Sequence, residues 1–256
     1  MNIGLDMMGG DFAPLEAVKG LKKFLSVNSH AVTIFCIGDE TLVQPLLAEY
    51  EVLSPTIHLV HAPEVIGYNE HPTKALKEKQ QSSIAIGFQL LATGKIDAFI
   101  SAGNTGAMLV GAMFTIKAIE GLIRPCVSGI VPKSNGETGM ILDVGLNADC
   151  KPEQLNQFAI LGSLYAQYIL NIPNPKIGLL NVGEEEGKGN LLAQATFPIL
   201  KENPSINFIG NIEGRDLFGT KADVIVCDGF TGNIVLKMAE TVYDLAETRN
   251  FHNDEY

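Results

Sequence analysis

The chain has 256 residues, of which 46% are hydrophobic and 18% charged, so it can bury a sizeable core and wholesale disorder is excluded. Its 18 basic and 29 acidic residues give a net charge of −11, which argues against a general nucleic-acid-binding protein because phosphate contacts need a basic face. A small anionic substrate remains compatible with this charge, since local donors can outweigh the global field.

Three features of the sequence indicate the cellular compartment: the spacing of the cysteines, the character of the N-terminal residues and the hydropathy. The four cysteines are far apart and form no CxxC pair, which predicts free thiols in a reducing environment. The N-terminal residues lack the basic and apolar regions of a signal peptide. No apolar run approaches the roughly 18 residues that a bilayer requires. We therefore expect a cytoplasmic protein that does not cross a membrane.

Nine short apolar runs are predicted as strands, at residues 2–7, 32–37, 57–61, 98–101, 126–131, 140–144, 176–182, 206–209 and 224–227. Helical spacing fills the longer stretches between them, most clearly at residues 14–25, 108–119 and 152–170. The runs are apolar throughout, which is typical of strands covered on both faces. The pattern predicts an α/β fold with a mostly parallel sheet, in one domain over residues 1–256 whose second half can form a partly separate lobe.

Glycines follow most of these strands, namely Gly9 and Gly10, Gly38, Gly103 and Gly106, Gly145, Gly183, and Gly229 and Gly232. Ligands of open α/β sheets bind outside the carboxyl ends of the strands. Glycine at those ends lets backbone N–H groups approach an anion. Ordinary glycines of βα loops are the alternative, but the Asn, Asp, Thr and Lys residues beside several of them favour a polar site.

A short basic stretch begins a predicted helix at residue 72. Lys74 and Lys77 are three residues apart and therefore lie on neighbouring positions of one helix face. A solvated face is one interpretation. The other is a docking surface for an acidic partner, which a local positive stripe can attract even in an acidic protein.

The segment SAGNTGA at residues 101–107 joins a predicted strand to an apolar helix. Ser101, Asn104 and Thr105 lie where the helix N-terminal amides are free, so the turn can hold a phosphate. The alternative is a simple helix cap by Asn104 or Thr105. The segment is neither a GxGxxG fingerprint nor a P-loop.

The segment LDVGLNADCKP leads from a strand into the helix that begins near Pro152, and Asp149 or Cys150 is the expected cap. At that position Cys150 is either an acidified thiol or a structural residue. No histidine lies in this segment, in SAGNTGA, in NVGEEEGKGN or in VCDGFTGN, so a Cys-His or Ser-His-Asp site lacks its base.

Two further loops carry polar residues. In NVGEEEGKGN, Lys188 stands between two glycines and can contact a phosphate or a developing oxyanion. Its three consecutive glutamates cannot all converge on one metal ion. In VCDGFTGN, Asp228 and Asn233 either bind ligand or cap the following helix.

Taken in chain order, eight segments together resemble the phosphate acyltransferase family called PlsX, over residues 1 to about 240: LDMMGGDFAP, HPTKALK, SAGNTGA, Arg124-Pro125, LDVGLNADCKPEQLNQFA, GLLNVGEEEGKGN, IGNIEGRD and VCDGFTGN. The resemblance implies a Rossmann-like α/β/α sandwich similar to isocitrate and isopropylmalate dehydrogenases and phosphotransacetylases. It also implies a homodimer that transfers a long-chain acyl group from acyl-carrier protein to inorganic phosphate, without a cofactor or metal. The acyl-phosphate would supply a membrane acyltransferase acting on glycerol 3-phosphate, and the enzyme would associate peripherally with the membrane.

The resemblance also yields a hypothesis for the site. The turn of Asn104, Thr105 and Gly106 and the Lys188 loop form a cradle that Asp228 to Asn233 closes, with Lys188, Asn104 and Asn181 as catalytic residues. Lys74 and Lys77 are expected to dock the acidic carrier protein. The residues expected to bind substrate are Asp6, Gly9, Gly10, Ser101, Gly103, Thr105, Gly106, Asp143, Asn147, Gly183, Gly189, Asn190, Asp228, Gly229, Thr231, Gly232 and Asn233.

Two departures from the family pattern accompany this hypothesis. Glu184 follows Gly183 where the family has threonine or a similar residue, and we expect a C-terminal strand and helix of the family pattern to be absent. Three alternatives stay open: a dehydrogenase of the related fold, a phosphotransacetylase-like enzyme using acyl-coenzyme A, and a non-enzymatic scaffold that binds carrier protein or membrane.

Overall fold

The computed structural model describes residues 1–27, 32–52 and 54–248. The chain divides into two compact units, Met1–Ile119 and Glu120–Tyr256, each with its own sheet. Every predicted strand is present, but the strands form two sheets rather than one. The polar corners at their carboxyl ends therefore belong to two different sheets.

The first unit alternates strands and helices. Its elements are β1 (Asn2–Asp6), α1 (Leu15–Val27), β2 (Thr33–Gly38), α2 (Glu40–Glu49), β3 (Ile57–His61), α3 (Pro72–Glu78), α4 (Ser83–Ala92), β4 (Ala98–Ile100) and α5 (Thr105–Thr115). The four strands pair in the order β3-β2-β1-β4, and all pairs are parallel. The carboxyl ends of β1 and β4 are therefore neighbours, which brings their polar turns together.

Two apolar clusters stabilise this unit. Met7, Ile34 and Cys36 pack with α1 and α2, and Phe88 of α4 packs edge-on against Phe99 of β4 in a second cluster that includes α3 and α5. The predicted helix over 108–119 begins and ends earlier than expected, as α5. The helix begins directly after Asn104 of SAGNTGA, which is its N-cap, and it ends before Lys117, whose φ is positive.

The second unit begins with a hairpin and continues with βα units. Its elements are β5 (Ser128–Pro132), β6 (Thr138–Leu142), α6 (Pro152–Tyr168), β7 (Lys176–Leu180), α7 (Leu191–Lys201), β8 (Asn207–Ile212), a 3-10 turn (Gly214–Asp216), β9 (Val224–Val226) and α8 (Gly229–Thr248). The sheet order is β5-β6-β9-β7-β8. Only β5 is antiparallel within it, since a short turn returns the chain directly from β5 to β6.

Helices cover both faces of this second sheet. On one face α6 and α7 bury Phe158, Phe197 and Leu200 against the strands, and on the other α8 packs through Val235 and Leu236. The α/β prediction with mostly parallel strands is therefore confirmed. No helix within the described part of the chain has the length and apolar character needed to cross a bilayer.

Candidate functional site

A carboxylate joins the β1 and β4 turns of the first unit. Asp6 is buried at the end of β1, where one oxygen accepts the Met8 N–H at 2.9 Å and the other accepts the Ser101 hydroxyl at 2.6 Å. The Ser101 oxygen in turn accepts the Gly103 N–H at 3.0 Å. A Cβ at Gly9 would lie 2.5 Å from the Gly103 nitrogen, so the two turns touch through backbone. Asp6, Gly9, Ser101 and Gly103, which are expected to bind substrate, thus lie together, and their role in binding stays a prediction.

Asn104 is the N-cap of α5, and all of its side-chain polar atoms are engaged. Its oxygen accepts the Ala107 N–H at 2.9 Å, and its amide donates to the Gly67 carbonyl at 3.0 Å. Tyr68 reaches the same turn by donating its hydroxyl to the Ala102 carbonyl at 3.0 Å. Asn104 therefore ties the loop after β3 to the turn after β4, and its catalytic role stays a prediction.

The remaining predicted residues of this turn differ in exposure. Thr105 is exposed at the first position of α5, where its hydroxyl has no hydrogen bond to the described residues. Gly106 packs closely against Pro72 of α3, because a Cβ added at Gly106 would lie 2.5 Å from the Pro72 side chain. Gly10 has φ of +105°, a conformation that favours glycine.

The turn after β6 in the second unit is built around one carboxylate. Asp143 is fully buried, and its oxygens accept five N–H groups: those of Val127, Gly145, Leu146 and Asn147, and the Asn147 side-chain amide. This arrangement leaves Asp143 no capacity for direct ligand contact. In the structure it fixes the turn, and Asn147 then accepts the Gly229 N–H at 2.7 Å.

Glycines of α8 allow this helix to start against that turn. A Cβ at Gly229 would lie 2.8 Å from Asn147 backbone atoms, and one at Gly232 would overlap the Asp143 carbonyl oxygen. Asn233 donates to the Val144 carbonyl at 3.3 Å, so it too holds the turn. These predicted binding residues are assembled at one place, and their observed contacts are structural.

The loop after β7 is organised by Asn181. Its side-chain amide donates to the Lys188 carbonyl at 3.1 Å, and its oxygen accepts the Val182 N–H at 2.8 Å. Gly189 has φ of +96°, and a Cβ there would overlap the Asn181 oxygen. The loop therefore requires glycine at 189 and an amide at 181.

The charged residues of this loop point in different directions. Glu184 pairs with Lys221 at 2.6 Å and Glu186 with Lys201 at 2.5 Å, so these acids do not converge. The stem of Lys188 lies over Gly183, with 3.2 Å between its Cγ and a Cβ built on that glycine. The Lys188 ammonium is exposed and pairs with no acidic group among the described residues. Within the same residues no metal-ligand cluster forms.

A cavity of about 330 Å³ opens at the carboxyl ends of β7 and β9. Its polar lining consists of Asn181, Asn190, Asp228 and Thr231, all predicted site residues. Leu155, Leu179, Leu192, Ala193 and Val235 are among the apolar residues that complete the wall. One opening therefore combines polar donors with an apolar wall.

Two helices begin at this cavity. Asn190 caps α7 by accepting the Ala193 N–H at 2.8 Å, which leaves its side-chain amide without a partner among the described residues. Asp228 accepts both the N–H and the hydroxyl of Thr231, at 2.9 and 2.8 Å, and so caps α8. Helix N-termini favour anions because their amides are unsatisfied and their dipoles are positive.

The thiols near the cavity are protonated groups. Burial raises the pKa of the Cys150 thiol to about 11. The alternative considered from the sequence, a thiol with a lowered pKa, is therefore wrong. Burial likewise raises the pKa of the Cys227 thiol, which lines the cavity, far above its usual range. Neither cysteine is suited to act as a nucleophile at neutral pH.

Sequence reasoning missed two residues that hold these loops. Tyr68 anchors the turn after β4, and buried Asn211 at the end of β8 donates to the Glu185 carbonyl at 2.9 Å. Each lies far along the chain from the loop it supports. Asn211 lies within IGNIEGRD, one of the segments that carry the family resemblance, and that segment was the available signal for it.

Comparisons with known proteins agree with this architecture. The profile of the family described as "Fatty acid synthesis protein" matches residues 1–248. A protein of Dictyoglomus turgidum named phosphate acyltransferase is 47% identical over 249 residues, covering 96% of this chain and 74% of that protein. A protein of the same name from Dictyoglomus thermophilum is 49% identical over 242 residues, covering 94% and 71%.

Solved structures show the same fold. A phosphotransacetylase from Streptococcus pyogenes superposes with a TM-score of 0.68 at 19% identity, covering 94% of this chain and 82% of that one. The EutD phosphotransacetylase from Staphylococcus aureus gives 0.66 at 19% identity, covering 95% and 82%. The predicted resemblance is confirmed. The chain belongs to the fatty acid synthesis protein family, whose relatives described above are named phosphate acyltransferases.

Proposed function

We propose that this acyltransferase moves a long-chain acyl group from acyl-carrier protein to inorganic phosphate. The observation that carries the proposal is the cavity beside α7, which is lined both by apolar residues and by Asn190, the cap of α7, whose side-chain amide has no partner among the described residues. A phosphate needs donors of this kind, and a fatty acyl group needs an apolar surface. The names of the relatives supply the reaction class.

The reaction suits a site without a histidine base. Phosphate is ionised at neutral pH, so one of its oxygens can attack the thioester carbonyl directly. The new C–O bond gives a tetrahedral oxyanion, whose collapse breaks the C–S bond and releases the carrier thiolate. The thiolate takes a proton from solvent or from the phosphate, and acyl-phosphate is the other product. No enzyme nucleophile is needed.

The protein's contribution is orientation and charge stabilisation. Positioning reactants can lower a barrier by about 7–11 kcal/mol at best, and one well-placed oxyanion donor by about 2.7–4 kcal/mol. The N-terminal amides of α7 and the side chain of Asn190 are assigned to the phosphate. Lys188, two residues before this cap and free of acidic partners among the described residues, is assigned to the developing oxyanion.

Other residues hold these groups in place. Asn181 fixes the Lys188 loop, and Asp228 and Thr231 fix the start of α8. Asp228 is itself negative, which suits a cap better than a phosphate ligand. The expectation that Asn104 acts together with Lys188 stays a prediction.

The partners are proposals of the same account. Lys74 and Lys77 are exposed on α3. The Lys74 ammonium lies 3.9 Å from a Glu78 carboxylate oxygen, and an exposed ion pair of this kind is weak, so both lysines are available to an acidic carrier protein. A homodimer, a cytoplasmic location with peripheral membrane association, and delivery of acyl-phosphate to a membrane acyltransferase complete the proposal.

An isosteric substitution tests the phosphate site. Asn190→Asp retains a good helix cap but replaces the amide donor with a negative charge. We expect the KM for phosphate to rise at least tenfold while the free energy of unfolding stays close to that of the parent. Asp149→Asn is a control at an exposed position. An unchanged KM for phosphate in the Asn190 variant would remove this site from the account.

The acyl donor is tested by comparing palmitoyl-acyl-carrier protein with palmitoyl-coenzyme A. The proposal predicts a higher kcat/KM with the carrier protein. Preference for coenzyme A would favour the phosphotransacetylase-like alternative, and binding of carrier protein without phosphate consumption would favour the scaffold.

A further inference from the structure

Asn211 of β8 is an asparagine at an apolar position of the second sheet. It is paired with Leu179 of β7, and residues paired in this way place their side chains on the same face of the sheet. Leu179 belongs to the apolar cluster that α6 and α7 cover. Asn211 is itself only 3% exposed. An amide is therefore buried where the surrounding residues would suit a leucine.

The Asn211 side chain is only partly satisfied at this position. Its Nδ2 donates to the Glu185 carbonyl at 2.9 Å, whereas its Oδ1 is buried and has no hydrogen-bond partner among the described residues. A buried polar atom without a partner destabilises the folded state, and native proteins retain few of them. Asn211 thus lowers stability through one atom and makes its single side-chain hydrogen bond to the loop after β7.

The carbonyl that Asn211 contacts also closes the turn of Lys188. The Lys188 N–H donates to the Glu185 oxygen at 3.0 Å, so this oxygen accepts both donors. The Lys188 carbonyl in turn accepts the Asn181 amide at 3.1 Å. The backbone of Lys188 is therefore held on both sides by asparagines, one directly after β7 and one in the adjacent strand β8.

The ion pairs of the same loop are less effective anchors. Glu184 with Lys221 and Glu186 with Lys201 lie at the surface, where such pairs contribute little to stability. The Asn211 side chain is by contrast withdrawn from solvent, so water does not compete for its hydrogen bond. Asn211 is thus the buried anchor of the Lys188 turn.

We propose that Asn211 is a positioning residue, which acts through the Glu185 carbonyl to set the place of the Lys188 ammonium group. The inference rests on the proposed function for the role of Lys188 in acyl transfer. Because its side chain is buried, Asn211 acts only through the loop. Such positioning matters, since a displacement of about 1 Å at a reacting group can lower a rate by about 10²-fold.

The test variant is Asn211→Leu, which keeps the number of side-chain heavy atoms and removes both the donor and the unpartnered oxygen. Asn207→Leu is the matched control, because Asn207 lies at the opposite end of β8 and likewise donates to a backbone carbonyl, that of Asn174, at 3.2 Å. The urea midpoint of Asn211→Leu should equal or exceed that of the parent. Asn211→Ala removes the amide without adding bulk and replaces the leucine variant if that protein does not fold.

The first measurement does not depend on the reaction. Trypsin cleaves the bond between Lys188 and Gly189 when the loop leaves its anchored conformation, and mass spectrometry gives the rate. We expect cleavage of this bond to be about two- to tenfold faster in Asn211→Leu, which is the equilibrium effect of losing one hydrogen bond. Asn207→Leu should be cleaved at the parent's rate. Equal rates in Asn211→Leu and the parent would overturn the proposal.

Turnover with phosphate then tests whether Asn211 acts through Lys188. Asn211→Leu should lower kcat by about 10–100-fold and leave the KM for phosphate within about twofold of the parent's, since Asn190 keeps its cap of α7. In the Lys188→Ala background the same substitution should change kcat by less than about twofold. An undiminished kcat in Asn211→Leu, or equal fold losses in both backgrounds, would overturn the proposal.

The two measurements separate this inference from the proposed function. If the parent consumes no acyl donor with phosphate, the proposed function fails. The cleavage rates at Lys188 still decide whether Asn211 holds the loop.

Discussion

Replacing Gly189 with alanine should disrupt the loop that carries Lys188. The residue has φ of +96°, and an added Cβ would overlap the Asn181 side-chain oxygen. The backbone conformation costs an alanine about 1–3 kcal/mol. Displacing Asn181 also breaks two hydrogen bonds, to Lys188 and Val182, worth about 0.5–1.5 kcal/mol each. The expected destabilisation is therefore about 2–6 kcal/mol, a large share of a typical stability of about 5–15 kcal/mol.

Gly187 in the same loop provides a matched control. A Cβ added there meets no atom within 4 Å, and its φ is not positive, so Gly187→Ala should be neutral or stabilising by about 0.4–1 kcal/mol. Urea unfolding measures both free energies, and kcat/KM for phosphate reports the loop geometry. Equal stabilities and equal activities of the two variants would refute the proposed role of Gly189 and Asn181.

Further predictions follow from the same contacts. Lys188→Ala should lower kcat/KM by about 10²–10³-fold, which is the contribution of one oxyanion donor. The control Lys237→Ala removes a surface ion pair with Glu240 and should leave kcat/KM unchanged. Equal kcat/KM values in the two variants would rule out the oxyanion role of Lys188. Asp143→Asn places an amide against two donors of Asn147 and should lower the free energy of unfolding, measured in urea, by about 2–6 kcal/mol. The control Asp149→Asn, at an exposed position, should change that free energy by less than about 0.5 kcal/mol. A decrease below about 1 kcal/mol for Asp143→Asn would contradict the anchoring role of Asp143 in the turn. At pH 8, Cys150 should react with iodoacetamide more slowly in the native protein than in the urea-unfolded protein, since the thiolate is the reacting form. In the native protein the rate should increase as the pH rises toward the Cys150 pKa of about 11. Equal rates for the native and unfolded protein at pH 8 would contradict this prediction.

The strands and the capped turns were predictable because their signals are local. Each strand is a short apolar run, and SAGNTGA places an asparagine directly before an apolar helix, which is how Asn104 caps α5. The proline at 152 likewise marked the start of α6. Local sequence also marked the turns after β1, β4, β6, β7 and β9 as polar.

The arrangement of those turns was not predictable, because it depends on distant parts of the chain. The bond between Asp6 and Ser101 joins residues 95 positions apart, and β9 enters the second sheet between β6 and β7, which precede it. The inward aim of Asp143 depends on five donors spread over residues 127–147. Nothing in a motif distinguishes such an anchoring carboxylate from one that contacts a ligand.

The central claim is the proposal that this chain transfers an acyl group to phosphate at the α7 cavity. Incubation of palmitoyl-acyl-carrier protein with radiolabelled inorganic phosphate and the purified chain tests it most directly. The account predicts labelled palmitoyl-phosphate, formed in equal amount to the free carrier protein, with both products reduced in parallel in the Asn190→Asp variant at phosphate concentrations below the KM. Release of free palmitate without label, or no reaction at all, would contradict it.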